Sequence, residues 1–216
     1  MSLAPPGAKP PTRGRSREGI EIAATRPAIA PTGTYAPKGF SPLWSIPQGA
    51  EEADGGTLVR VVRDQAGRGA DWIKVYGDYR AGPNGETMPT FSQDEMTLIV
   101  QTAASIGRPV VGHPSPPEGM KRALLAGART IEHGDGGTAE VFKMMHDRGV
   151  ALCPTIAASE AYARYFQHWD GREPAPESVE ENRRSFQLAM KAGVPICMGG
   201  DVGVYTHGQN WLEMDA

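Results

Sequence analysis

Met96–His133 reads MTLIVQTAASIGRPVVGHPSPPEGMKRALLAGARTIEH, and this stretch decides the fold. Met96, Ile99, Val100 and Ala103 recur at i, i+3, i+4 and i+7, which marks one buried face of a helix. The helix should stop at Gly107, because glycine takes the left-handed conformation of a helix end without steric cost. A short β-branched run follows at once and closes on His113. The same order then repeats through Gly127 to His133. Working outward, GADWIKVY (Gly69–Tyr76), GVALCPT (Gly149–Thr155) and VPICMGGD (Val194–Asp201) continue the alternation. The predicted strands are Trp72–Tyr76, Pro109–His113, Ala128–His133, Val150–Thr155 and Val194–Asp201, with Gly149 and Gly193 as further helix stops. Capping boxes are expected at Ser92 with Glu95, Ser115 with Glu118, and Ser178 with Glu181. Thr138, Val141, Phe142 and Met145 mark another helix, so Met144–Met145 reads as core packing. Strands alternating with helices pair in parallel through right-handed crossovers, which makes the class α/β.

The strands end on residues that an apolar strand would not choose: Lys74, His113, His133 and Asp201. Taken singly, each has a plain role. A histidine can bond at a strand boundary, a lysine can reach to solvent, and an aspartate can cap a helix. Taken together, they meet, because all strand C-termini of a parallel β/α architecture lie on one face. Two imidazoles, a carboxylate and an amine suit a divalent metal such as zinc. His146 and His168 lack this placement and read as surface residues.

Composition sets the bounds. The 216 residues fit one domain, and 22 Lys+Arg against 25 Asp+Glu leave no basic excess for nucleic acid or a membrane surface. No apolar run approaches the roughly 18 residues of a membrane span. Two cysteines, Cys153 and Cys197, are too few for a disulfide framework. Residues 1–19 are rich in Pro and Arg and are expected to be disordered, with no apolar core of a secretory signal. Ile20–Ile29 reads as a short strand ended by Pro27, and 20–216 as the folded part.

These motifs resemble the amidohydrolase superfamily, in particular its imidazolonepropionase-like and Xaa-Pro dipeptidase-like branch. The resemblance rests on GADWIKVY, RPVVGH, ARTIEHGD, GVALCPT and GGDVGVYTHGQN (Gly199–Asn210), and covers roughly Ala50–Ala216. It implies a TIM-type (β/α)8 barrel, of which this chain would hold about strands three to eight, Ile20–Ile29 corresponding to the third. It also implies a binuclear site of zinc or another divalent metal. Lys74 would be carboxylated and bridge the metals, His113 and His133 would bind the second, and Asp201 would bind metal and act as general base. A metal-activated hydroxide would then attack an amide or peptide carbonyl of a dipeptide or N-acyl amino acid. His207, Tyr76 and Arg80 become candidate substrate contacts, Arg80 through a bidentate pair with a carboxylate.

The chain departs from that pattern. The family's first strand ends in His-x-His, and no histidine here precedes His113. The chain therefore reads as truncated at both ends, with its first metal site incomplete and with the third and eighth strands exposed as edges for a homo-oligomer. Two other readings stand beside the hydrolase. One is a catalytically inactive fragment of such an enzyme. The other is a Schiff-base lyase using Lys74, which borohydride trapping would reveal.

Overall fold

The structure is a computed structural model and describes residues 25–35, 43, 49–201 and 203–215. Among them, six strands form one parallel sheet: β1 (Ala28–Ala30), β2 (Ala50–Glu52), β3 (Ile73–Tyr76), β6 (Val110–His113), β7 (Thr130–Glu132) and β8 (Ala151–Cys153). A two-stranded hairpin, β4 (Asp78–Tyr79) and β5 (Met88–Pro89), projects beyond the end of β3. The helices are α1 (Gly55–Gly67), α2 (Gln93–Ser105), α3 (Pro117–Ala126), α4 (Ala139–Arg148), α5 (Ile156–Phe166) and α6 (Glu177–Lys191). None of the described helices is long and apolar enough to cross a membrane.

The sheet order is β2-β1-β3-β6-β7-β8, so from β3 onward each βα unit lies beside its predecessor. That is the α/β progression expected of an incomplete TIM-type barrel. Alternation along β3, β7 and β8 explains why the layers form. Ile73, Val75, Ile131 and Leu152 are fully buried, those of β3 beneath α1 and α2, those of β7 and β8 beneath α3 and α4. Lys74, Tyr76, Glu132 and Cys153 point to the opposite, half-buried face. Tyr76 lies opposite His113 and Glu132 opposite Cys153, so the polar strand ends are level with one another.

The glycine stops hold: Gly127 and Gly149 cap α3 and α4 in the left-handed conformation, and Gly107 and Gly193 also have positive φ. Met145 is fully buried and Met144 packs against the same core. His146 and His168 are exposed. The Ser92–Glu95 capping box is present. The other two boxes are not. Pro117 opens α3, its fixed φ already helical, and Ser115 spends its N–H on Asp78 instead. α6 starts at Glu177, which leaves Ser178 inside the first turn.

The edges also differ from expectation. Pro27 precedes β1 rather than ending it, while residues 1–24 lie outside the described residues, including the stretch read as disordered. β2 has no counterpart in the expected strands, and it covers the outer side of β1, so Ala28–Ala30 is not an edge. Among the described residues Val194–Asp201 makes one parallel bridge, Leu152 to Ile196, because Pro195 has no N–H to give and Gly199–Gly200 interrupt the run. That bridge sets the next residues of both strands side by side. Cys153 and Cys197 form a disulfide there, with Cα atoms 4.8 Å apart, close to the spacing of neighbouring strands. Two cysteines too few for a framework thus still form one tie.

Candidate active site

The ends of β6 and β7 bring two imidazoles into contact. His133 Nε2 lies 2.8 Å from His113 Nδ1, and His133 Nδ1 lies 2.6 Å from Thr155 Oγ1. Thr155 Oγ1 is also 2.8 Å from the Pro154 carbonyl, which can only accept. The hydroxyl proton therefore goes to Pro154 and His133 donates from Nδ1 to Thr155, which in the neutral ring leaves the lone pair on Nε2. His113 then donates from Nδ1 into that lone pair. Burial holds the His113 imidazole well below its usual pKa, with His133 and the Lys74 amine adding to the effect. His113 is thus neutral at pH 7, as a nitrogen ligand or acceptor must be.

Tight turns set these rings in place. His133 and Thr155 both have left-handed backbones, with φ of 67° and 52°, and Asp201 has φ 46°. Left-handed non-glycine residues are costly and gather at functional sites. Behind His133, Ser185 on α6 donates to the Gly134 carbonyl, and Asn182 donates to Asp135 and, at 3.3 Å, to the Pro154 carbonyl.

Lys74 lies close enough for its amine to act on His113, and it is engaged by a carboxylate. Its amine pairs with Glu132 at 2.7 Å, both side chains half-buried. Asp78, 2% exposed, accepts from the Ser115 N–H and lies 3.9 Å from His113 Nε2. Burial, reinforced by Asp135, pushes its carboxyl up to about 7 against the pull of the Ser115 N–H. Tyr76 stacks on Tyr35 and meets His113 edge-on, and burial raises its phenol far above the usual range. His113, His133, Asp201 and Arg80 line one cavity of about 320 Å³, together with Ser115, Asp135 and Tyr162. His207 is exposed and does not line it.

Of the four residues expected to ligate metal, the fold thus brings two into contact. Asp201 reaches the same cavity, and Lys74 is engaged by Glu132. Among the described residues no three His, Cys, Asp or Glu side chains gather closely enough to hold an ion. His113 and His133 are the two neighbouring nitrogen donors, 2.8 Å apart, that could contribute to such a site. The residues that sequence reasoning missed are Asp78, Glu132 and Thr155. Glu132 had a signal: it lies two residues beyond Thr130, which aligns with Lys74 through Val111, so both face one way.

No family model matches the chain. It is 31% identical over 158 residues to uncharacterised proteins of Mycobacterium bovis and Mycobacterium tuberculosis, covering 71% of this chain and 42% of theirs. It is 30% identical over 171 residues to ochratoxinase of Aspergillus niger, covering 76% of this chain and 34% of that protein. Among solved structures, a Xaa-Pro dipeptidase with methionine bound in its active site superposes with a TM-score of 0.77 at 31% identity, over 91% of this chain and 52% of that one. Ochratoxinase of A. niger superposes with a TM-score of 0.69 at 25% identity, over 85% and 46%. The chain therefore spans about half the length of these structures, and less of the curated relatives.

Proposed function

The chain is related in sequence and fold to the amidohydrolase superfamily, and on that premise we propose that its strand-end cleft hydrolyses an amide or peptide C–N bond. A dipeptide or an N-acyl amino acid is the substrate class. The observation that carries this reading is the contact of the His113 and His133 ring nitrogens inside a cavity that Asp201 and Arg80 also line. His113 and His133 would hold zinc or another divalent ion, which supplies a Lewis acid for the scissile carbonyl and lowers the pKa of water. The role requires the His133 proton on Nδ1, as the Thr155 contact places it, and the His113 proton moved from Nδ1 to Nε2, where Asp78 lies nearby. Asp201 takes the proton of the attacking water and returns it to the departing amine, as general base and then general acid. Arg80 binds the substrate carboxylate from the cavity wall. Tyr76 packs the His113 ring, and His207 contacts substrate only when the segment after Asp201 folds inward. Lys74 serves as a carboxylated ligand only once its amine leaves Glu132.

The Schiff-base reading is disfavoured by that same ion pair, which occupies the Lys74 amine that would have to attack the carbonyl. The test is amine release from Xaa-Pro dipeptides and N-acyl amino acids by the zinc-supplemented chain and its Asp201→Asn variant. The reading expects turnover that falls at least a hundredfold in the variant. Equal rates, or borohydride trapping of a carbonyl substrate on Lys74, would overturn it.

A further inference from the structure

We propose that Thr155 is a positioning residue that sets the tautomer of His133, and that its strained backbone exists for this purpose. The inference rests on the reading of His133 as a nitrogen ligand given above. Thr155 precedes α5 in the N-cap position, where a threonine ordinarily bonds the first backbone N–H groups of its helix. Here its side chain makes no such bond. That role falls to Glu213, whose carboxylate accepts from Ile156 N at 3.0 Å and Ala157 N at 2.9 Å. The Thr155 hydroxyl turns instead to the His133 Nδ1, with its proton committed to the Pro154 carbonyl.

The backbone agrees with this assignment. Thr155 sits at φ 52°, ψ 42°, a conformation that a β-branched residue rarely adopts, and it is 3% exposed. Glycine or asparagine would relieve the backbone, but glycine has no hydroxyl, and asparagine ends in a longer amide. A second buried contact fixes the acceptor: Asn182 Nδ2 also donates to the Pro154 carbonyl, so that oxygen cannot turn away from Thr155 without breaking the tie to α6. The outcome is one defined tautomer, with the proton on Nδ1 and the lone pair on Nε2 aimed at His113.

Three variants separate this role from mere packing. Thr155→Val keeps shape and strain but removes the hydroxyl, Thr155→Ser keeps the hydroxyl, and Thr155→Gly removes both hydroxyl and strain. Long-range 1H–15N spectra of the metal-free chain, with His133 assigned by its loss in His133→Asn, report the protonated nitrogen. The wild-type chain and Thr155→Ser should show His133 protonated on Nδ1. Thr155→Val and Thr155→Gly should show a shift toward Nε2 protonation, although Thr155→Gly melts no lower than wild type. Zinc titration should give an affinity lower by about 10- to 100-fold in Val and Gly, and unchanged in Ser. An Nδ1 tautomer retained in Thr155→Val or Thr155→Gly would overturn the proposal, as would a Ser variant that behaves like Val. If the tautomer shifts as stated but the wild-type chain binds no zinc, Thr155 keeps its role and the metal reading fails.

Discussion

Replacing Asp78 by Asn should stabilise the chain increasingly as pH rises, and the structure gives the size of the effect. Asp78 is 2% exposed and its carboxyl is pushed up to about 7 from the ordinary 3.8, chiefly by burial. The folded chain therefore holds this proton more tightly than the unfolded chain. Below pH 4 both states are protonated and the group costs nothing. Between pH 4 and 7 the unfolded carboxyl ionises first, so wild-type stability falls as pH rises; above 7 the loss levels off. Linkage puts the accumulated cost at about 1.5 kcal/mol by pH 5 and about 4 kcal/mol by pH 8. Asn keeps an acceptor for the Ser115 N–H and carries no charge. Urea unfolding of both proteins in EDTA at pH 5 and pH 8 reads the residue, together with its coupling to Asp135 and His113, by difference. The difference should move toward the Asn variant by about 2–3 kcal/mol between the two pH values. A difference independent of pH would refute burial of an ionisable Asp78 carboxyl.

Other perturbations test the scaffold. The Cys153–Cys197 tie closes a loop of 44 residues, so reductant should lower the urea midpoint of the wild-type chain by the equivalent of up to about 4 kcal/mol, and leave Cys153→Ser unmoved. Gly134 has φ +66° and an added Cβ would stand 2.9 Å from Leu152 Cδ1, whereas Gly149 has φ +63° with open space around it. Gly134→Ala should thus cost about 2–3 kcal/mol and Gly149→Ala about 1 kcal/mol, read from thermal melts.

The layered α/β arrangement was legible because period and punctuation agreed. Met96, Ile99 and Ala103 marked a helical face, Gly107 ended it, and the β-branched run that closes on His113 marked a strand. The meeting of His113 and His133 followed from parallel pairing alone. The edges were harder to read, since β2 is the run Ala50–Glu52, whose two glutamates carry no strand signal, and pairing with β1 creates it. Within the site, Asp78 escaped notice because its burial depends on the β4–β5 hairpin and on Ser115, 37 residues away. Thr155 gave no signal at all: nothing in a sequence marks a β-branched residue that will adopt a left-handed backbone. Asp201 was read as the end of a strand, yet the strand stops at one bridge and the residue reaches the cavity from an irregular turn.

The central claim is that the imidazole pair is the reactive centre, and amide hydrolysis by the zinc-loaded chain tests it most directly. With N-acyl amino acids or Xaa-Pro dipeptides, the wild-type chain should release amine in a zinc-dependent reaction that His113→Asn and His133→Asn each reduce at least a hundredfold while the fold melts unchanged. Hydrolysis that persists in both variants, or that is indifferent to zinc and EDTA, would contradict the account.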